Sequence, residues 1–303
     1  MAMSENELRV LKEVGKASSD AMLYAADMVK PGAKLLDVAE AAEKFLRDKG
    51  FAAAFPINLS INEQAAHYTP SVGDEKVFTD KDIVKVDFGA MKDGMLGDGA
   101  ITVDLSGKHQ KMIEAADKAL DSAIALVRHG VSVCDIGKAI FETIEPYGFR
   151  PVMNLGGHGI GVHDLHTDPF IPNYDNADFT VLETGMVVAI EPFVTTGEGM
   201  VANSSTCEIY SYVENAQVRS PDARNLLEII SKDNAKEPFA IRWLEKYLPS
   251  KFRLYAAVAE LVRAEALEPH PMLIETSGGP VAQAEAQLLV TDEGCEIITR
   301  AKR

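Results

Sequence analysis

The 303-residue chain contains a diverged internal repeat, and this repeat limits the possible folds more than any other feature. Val29-Lys-Pro-Gly32 aligns with Val127-Arg-His-Gly130 at an offset of 98 residues. Further positions match at the same offset: Asp37 with Asp135, Val38 with Ile136, Ala41 with Ala139, Leu46 with Ile144, and Gly50 with Gly148. The matched segments have helical periodicity and end at a glycine, so each predicts a pair of helices joined by a turn.

A second match lies further along the chain. Ile83-Val-Lys-Val-Asp87 resembles Val187-Val-Ala-Ile-Glu191 at an offset of 104 residues. Each half therefore predicts two helices followed by strands, including a buried strand that ends on a carboxylate. The alternative is that two unrelated segments share common helix chemistry. If the halves pack about a pseudo-twofold axis, Asp87 and Glu191 reach one central site from symmetry-related strands.

The repeat predicts specific elements and leaves one region outside it. Helices are predicted at residues 4–29 and 37–49, and strands at residues 55–61, 82–89 and 100–105. From about residue 219 to 275, prolines separate three helical patterns, at residues 225–232, 240–248 and 254–267. We interpret residues 211–276 as an inserted helical subdomain, with balanced charge, in a catalytic domain formed by residues 1–210 and 277–303. Strand character returns after residue 278 and is expected to close the sheet.

Charge and cysteine content exclude several classes of protein. Acidic residues outnumber basic ones 46 to 30, giving a formal net charge of −16, which disfavours nucleic acid or anionic membranes as main partners. The three cysteines, Cys134, Cys207 and Cys295, form neither a disulfide framework nor a Cys-x-x-Cys pair. The first residues lack the features of a signal peptide, and no stretch is long enough to span a bilayer. We therefore expect a cytoplasmic protein.

Two aspartates stand at the ends of neighbouring predicted strands. Asp87 ends an apolar strand and Asp98 precedes the next one, with the turn signal Lys92-Asp-Gly94 between them. A hairpin would bring both carboxylates together, where they would repel each other unless a divalent cation were bound. The alternative is a pair of solvated aspartates at strand ends. Glu191 and Glu285 are further acidic candidates, each beside an apolar segment.

Histidines form the second cluster of candidate functional residues. His158, His163 and His166 are three of the seven histidines and lie within nine residues, in a glycine-rich stretch. Imidazole binds borderline divalent metals and also transfers protons near neutral pH. Glycines around His158 would allow the backbone to approach a crowded centre. His163 is either functional or only a neighbour of the other two.

These residues resemble a known family. The segment Phe55-Pro-Ile-Asn-Leu-Ser-Ile-Asn-Glu-Gln-Ala-Ala-His-Tyr-Thr-Pro70 is similar to a signature of the type II methionine aminopeptidases. The family's other motifs follow in order: Asp87 with Asp98, His158 with His166, Ala189-Ile-Glu-Pro-Phe193, Pro238-Phe-Ala-Ile-Arg-Trp-Leu244 and Val281-Ala-Gln-Ala-Glu285. The resemblance covers nearly the whole chain. Without a long charged N-terminal extension, the chain is similar to the compact archaeal form.

The resemblance implies a fold and a metal centre. The implied fold is the α/β (α+β) pita-bread fold, a pseudo-twofold domain that agrees with the repeat, here with the helical insertion. Two divalent ions (Co, Mn, Fe, Zn or Ni) are implied, with Asp87 on one ion, His158 and Glu191 on the other, and Asp98 and Glu285 bridging. His67 and His166 are implied to face the substrate. They are 99 residues apart, close to the repeat offset, and are candidate pseudo-symmetric partners.

The activity implied by the resemblance is removal of the initiator methionine from nascent proteins and peptides. Two neighbouring ions can share and activate a water, and we expect this bridging hydroxide to attack the first peptide carbonyl. His166 or His67 would stabilise the oxyanion, and Glu191 would carry a proton to the leaving amine. Methionine specificity requires an apolar pocket, for which the candidates are Phe55, Leu165 and Phe193.

The chain departs from the family pattern at four positions near the implied ligands: Gly99, Gly156, Ala284 and Ala286. None of them removes a ligand, but each changes a group that could hydrogen-bond to one. Two other functions stay open. A proline dipeptidase shares the ligands but usually has an extra N-terminal domain and lacks this insertion. A non-enzymatic pita-bread protein that binds RNA or histones has lost ligands, whereas all five positions are filled here. We expect a monomer that acts on nascent polypeptides, with the ribosome as a candidate partner and no nucleic acid or membrane partner.

Overall fold

The computed structural model describes residues 3–234 and 236–302. Its helices are α1 (Glu5–Met28), α2 (Leu35–Asp48), α3 (Gln110–Ile124), α4 (Val133–Ile144), α5 (Pro221–Asp233) and α6 (Lys251–Arg263), with 3-10 helices at Glu145–Tyr147 and Ile241–Leu244. Its strands are β1 (Ala52–Ala53), β2 (Asn58–Ile61), β3 (Gln64–Ala66), β4 (Ile83–Asp87), β5 (Ala90–Lys92), β6 (Met95–Leu96), β7 (Ala100–Asp104), β8 (Arg150–Pro151), β9 (Gly156–Gly161), β10 (Asp164–Pro172), β11 (Val187–Ile190), β12 (Phe193–Thr195), β13 (Val201–Asn203), β14 (Ile209–Tyr212), β15 (Phe239–Ala240), β16 (Leu267–His270), β17 (Leu273–Glu275), β18 (Val281–Gln283), β19 (Ala286–Val290) and β20 (Cys295–Arg300). Within the described ranges, no helix is long and apolar enough to cross a membrane.

The first two predicted helices are confirmed, with small shifts at their ends. Ser4 caps α1 by accepting a hydrogen bond from the Glu7 amide, while the Glu7 carboxylate accepts one from the Ser4 amide. The second helix begins two residues before the predicted start, at Leu35. It ends before Gly50, whose φ of +81° suits glycine and stops the helix.

The internal repeat is confirmed by equivalent contacts in the two halves. The Gly32 amide donates to the Phe78 carbonyl at 2.8 Å, and the Gly130 amide donates to the Leu182 carbonyl at 2.8 Å. Isolated bridges join Lys34 to Val77 and Ser132 to Val181. The first residues of the matching contacts are 98 positions apart in the chain, and their partners are 104 positions apart. These are the two offsets that the sequence shows. The turns that lead into α2 and α4 are therefore held in the same way.

Each half packs its two helices against an antiparallel sheet. In the first half, α1 and α2 cover the sheet β2-β4-β7 and form one apolar core. In the second half, α3 and α4 pack on strands β11 and β19 of the sheet β10-β9-β11-β19-β20 and form another. The C-terminal strands β19 and β20 complete this second sheet, as predicted. Burial of the apolar faces of these helices is the main stabilising contribution of this arrangement.

Strand register determines which side chains meet at the centre. Asp87 lies opposite Asn58 on β2 and opposite Ala100 on β7. Ala189, two residues before Glu191, lies opposite His158 on β9. The carboxylates predicted at the ends of β4 and β11 are thus brought to the interior between the two halves.

The segment after β14 forms its own apolar core, in which α5 and α6 pack against the small sheet β15-β14-β16. The helices predicted at 225–232 and 254–267 correspond to α5 and α6, although Leu267 already belongs to β16. The helix predicted at 240–248 is wrong. Phe239 and Ala240 pair with β14 instead, and only a short 3-10 helix follows, because burial and strand pairing override local helical pattern. The proposed limits of the insertion, 211–276, stay a prediction.

Candidate metal centre

One cavity of about 710 Å³ lies between the two halves. It is lined by all five of the predicted ligands: Asp87, Asp98, His158, Glu191 and Glu285. The Nε2 atom of His158 lies 3.5 Å from Oδ2 of Asp98 and 3.8 Å from Oε1 of Glu191. Ligand atoms of Asp98, His158 and Glu285 all lie within 4.8 Å of one another, a spacing that suits a shared cation. The structure thus brings together all five candidate ligands.

A hairpin places Asp98 beside Asp87, as the turn signal predicted. Strands β5 and β6 pair through a two-residue turn in which Asp93 and Gly94 both have positive φ, 52° and 80°. The chain then returns to β7, which pairs with β4 along its whole length. Glu285 joins them because its amide donates to the Ala100 carbonyl at 3.0 Å.

The backbone of Asp98 is held by two side chains of the second sheet. The Asp98 amide donates to Oε1 of Gln287 at 3.2 Å, and the Thr299 hydroxyl donates to the Asp98 carbonyl. A Cβ atom at position 99 would lie 3.1 Å from the Thr299 hydroxyl oxygen and 2.8 Å from the Met22 methyl carbon. Gly99, one of the departures from the family pattern, therefore leaves room for Thr299 to approach Asp98.

Gln283 makes polar contacts that sequence reasoning missed. Its Nε2 atom donates to Asp87 at 3.4 Å, to Glu191 at 3.2 Å and to Glu285 at 3.3 Å. The side chain is 1 % exposed, so these contacts are shielded from water. The signal was available, because Gln283 stands inside the motif that contains Glu285. Its amide orients three carboxylates that would otherwise only repel one another.

Burial and mutual repulsion disfavour the charged forms of these carboxylates. Burial raises the pKa of Asp87 to about 7. Burial, and then the neighbouring acids, raise the pKa values of Asp98, Glu191 and Glu285 well above their usual range. In addition, Oδ1 of Asp87 is buried and has no hydrogen-bond partner. Four clustered carboxylates, one with an unpaired oxygen, together with an imidazole, fit the donor set of divalent metal ions.

His166 and His67 both line the cavity beside this group. The His166 ring centroid is 4.3 Å from that of His158. Burial, and then repulsion from His158, lower the pKa of His166 to about 3, and burial lowers that of His67 to about 4. Both rings are therefore neutral at physiological pH and can donate one hydrogen bond. His270, which the sequence analysis did not identify, also lines the cavity, 6.2 Å from the His67 ring.

The remaining walls of the cavity include apolar side chains. Phe55, Leu165 and Phe193, the predicted pocket residues, all contribute. Sequence reasoning missed five more apolar lining residues, which are Ala66, Leu155, Phe170, Ile209 and Pro238. Ile209 and Pro238 come from the segment around the predicted insertion, and no local pattern linked them to the centre.

Comparison with known proteins gives independent support for a metal centre in this cavity. The model of Metallopeptidase family M24 matches residues 9–218. A methionine aminopeptidase of Archaeoglobus fulgidus is 43% identical over 298 residues, which cover 98% of this chain and 100% of that protein. The chain belongs to metallopeptidase family M24. A methionine aminopeptidase of Methanocaldococcus jannaschii, 41% identical, is covered to 97% of its length.

Solved structures show the same fold for this member of family M24. A methionine aminopeptidase of Thermotoga maritima superposes with a TM-score of 0.72 at 25% identity, covering 99% of both chains. A thermophilic Arx1 gives a TM-score of 0.85 at 17% identity, and a prolidase of Pyrococcus furiosus gives 0.65 at 17% identity, covering 66% of the prolidase. The pita-bread fold implied by the sequence is thereby confirmed. Membership of a metallopeptidase family also implies the use of divalent metal.

Proposed function

We propose that this chain is a methionine aminopeptidase that hydrolyses the peptide bond after an N-terminal methionine. The observation that carries the proposal is the meeting of five candidate metal-binding side chains and an apolar wall in one cavity. The named activity of relatives that align along almost the whole chain supports the same reaction. The substrates would be nascent polypeptides and peptides. We place the protein in the cytoplasm as a monomer, with the ribosome as a candidate partner.

The proposed ligand set would hold two divalent ions. Asp87 would contribute to one ion site and His158 and Glu191 to the other, and Asp98 and Glu285 would contribute to both. The unpaired Oδ1 of Asp87 and the 3.5 Å spacing between His158 and Asp98 support this assignment. Such ions supply Lewis-acid polarisation of a carbonyl and lower the pKa of water at neutral pH.

The chain's own residues would position the substrate and move protons. His166 and His67, both neutral, would donate hydrogen bonds to the carbonyl oxygen as negative charge develops on it. Glu191 would transfer a proton to the leaving amine, because it lines the cavity beside His158 and a carboxyl can alternate between acid and base. Phe55, Leu165 and Phe193 would receive the methionine side chain. Burial of its apolar surface there would provide the selectivity.

Proline dipeptidase activity is the main competing function, since the prolidase shares the fold. The two activities are separated by incubating purified protein, supplied with Mn²⁺ or Co²⁺, with Met-Ala-Ser and with Ala-Pro. We expect free methionine from Met-Ala-Ser, no cleavage of Ala-Pro, and no cleavage of N-acetyl-Met-Ala-Ser, which lacks the free amine. Preferential cleavage of Ala-Pro would replace the proposal with the dipeptidase.

A further inference from the structure

His158, His163 and His166 form the histidine cluster of the sequence. The proposed mechanism gives no role to His163. It lies in the turn between β9 and β10 with a positive φ of 56°. Its neighbours in sequence, Asp164 and Leu165, line the catalytic cavity. Its Nδ1 atom is 2.5 Å from Oε1 of Glu237, a residue 74 positions away in the chain. This contact joins the β9–β10 hairpin to the segment that leads into β15.

The ring of His163 has a fixed position. Its amide donates to the Gly94 carbonyl at 2.8 Å, which attaches the turn to the β5–β6 hairpin. The ring lies so close to Gly94 that a Cβ atom there would be 2.6 Å from two ring atoms. The Glu237 side chain is 13% exposed, so its carboxylate contacts His163 in a largely shielded environment. A hydrogen bond to a carboxylate is stronger in such shielded surroundings than one exposed to water.

The segment on the other side of this contact carries a wall of the cavity. Pro238, which lines the cavity, lies between two anchored residues. Glu237 before it is bonded to His163, and Phe239 after it pairs with Tyr210 on β14. Proline has no amide hydrogen and a restricted φ, so the position of its ring follows from its neighbours. Loss of the His163 contact would free one of the two anchors.

We propose that His163 and Glu237 form a positioning pair that sets the spacing between Leu165 and Pro238, and so the width of the pocket for the methionine side chain. Leu165 is two residues from His163, and Pro238 adjoins Glu237, so the pair connects the two walls directly. Selectivity between a linear and a branched apolar side chain depends on such a fixed width, because a flexible pocket also accommodates the wider, branched group. The inference rests on the proposed methionine aminopeptidase function.

The test compares cleavage of Met-Ala-Ser and Leu-Ala-Ser by the Mn²⁺-loaded wild type and by His163→Ala and Glu237→Ala variants. For both variants we expect KM for Met-Ala-Ser to rise about tenfold and the preference for methionine over leucine to fall by a similar factor, with kcat nearly unchanged. Glu237→Gln, which can still accept a hydrogen bond from His163, should restore most of the preference. Lys16→Ala, which breaks the exposed Lys16–Asp20 pair on α1, is the matched control.

Three outcomes would overturn the inference. A wild type that releases no methionine removes the proposed function, and the pocket role with it. An active wild type whose preference for methionine is unchanged in both alanine variants removes the positioning role alone. A fall in kcat without a change in KM, in Glu237→Gln as in the two alanine variants, would also remove the positioning role. That result would assign the pair a role in overall stability instead. Isothermal titration of L-methionine against L-leucine on each variant gives the same comparison without turnover, including for variants of low activity.

Discussion

At the scale of single residues, substitution of His166 distinguishes a catalytic role of this side chain from a structural one. It lies on β10 and lines the cavity beside His158, and enclosure of its ring by the cavity lowers its pKa to about 3. If its neutral ring donates to the developing oxyanion, His166→Ala should lower kcat by about 10²–10³, the usual cost of removing one such donor. Bound metal and melting temperature should stay close to wild type. A normal kcat with a lowered melting temperature would make His166 structural, and a parallel loss of metal would make it a ligand.

Candidate ligands were predictable at this scale, whereas the residues that support them were not. Asp87, Asp98 and Glu191 stand out in the sequence because carboxylates beside apolar strands are costly to bury. Gln283 stands inside the motif that contains Glu285, but the motif does not show which carboxylates its amide contacts, and a single histidine near a strand, such as His270, is common. Their importance depends on which groups face them in the folded chain, and that becomes visible only with the structure.

At the scale of elements, the glycine-rich strand β9 holds His158 close to β11. A Cβ atom at Gly157 would lie 2.1 Å from the Ala189 carbonyl oxygen, and backbone atoms cannot move aside as a flexible side chain can. We expect Gly157→Ala to separate β9 from β11, to cost about 1–3 kcal/mol in the free energy of unfolding, and to weaken metal binding through His158 and Glu191. Urea unfolding and a metal titration would measure both effects.

Gly294→Ala is the matched control for that substitution. No atom lies within 4 Å of a Cβ atom at Gly294, so its replacement should leave both quantities near wild type. Equal behaviour of the two variants would show that close approach of β9 to β11 is not required for the centre.

Elements with local signals were predicted well, and elements set by distant contacts were not. The capping residues of α1 and the turn at Gly94 lie within the segments that they define. By contrast, the Arg242 guanidinium donates to Glu43 on α2 and, at 2.6 Å, to the Thr69 hydroxyl. These partners are 199 and 173 residues away, and no spacing rule links them. The short 3-10 helix in place of the predicted 240–248 helix reflects such long-range packing.

At the scale of the whole molecule, we expect the stability of the fold and the affinity for metal to depend on pH together. In the metal-free protein the raised pKa values of Asp87, Asp98, Glu191 and Glu285 mean that the folded chain keeps protons which the unfolded chain releases above about pH 4. The contribution of these groups to the free energy of unfolding therefore falls as the pH rises above about 4, and the part from Asp87 falls until about pH 7. Metal replaces those protons and binds more tightly as they leave.

We therefore predict that the gain in melting temperature on adding Mn²⁺ increases between about pH 5 and about pH 8. Thermal unfolding of stripped and Mn²⁺-supplied protein across this range is the measurement. The Asp98→Asn variant, which we expect to retain the fold but which lacks one proposed ligand carboxylate, should show a smaller gain at every pH. A gain that shrinks with rising pH in the wild type would place the metal outside this carboxylate cluster.

The pseudo-twofold arrangement of the two halves followed from the repeat, because a duplicated unit predicts where its two copies meet. The equivalent hydrogen bonds at Gly32 and Gly130 are the structural counterpart of the sequence offset. The segment after β14 has no counterpart in the repeat, so its contribution of Pro238 to the cavity could not be anticipated.

The most direct test of the account is one titration that follows bound metal and methionine release together. Stripped wild type and Asp98→Asn would be titrated with Mn²⁺, with bound ions counted by isothermal titration and free methionine measured from Met-Ala-Ser. We predict two ions bound per wild-type chain, release of methionine that appears with metal binding, and loss of both in Asp98→Asn. Full release of methionine by stripped protein, or by Asp98→Asn at saturating Mn²⁺, would contradict a catalytic metal centre built on these five residues.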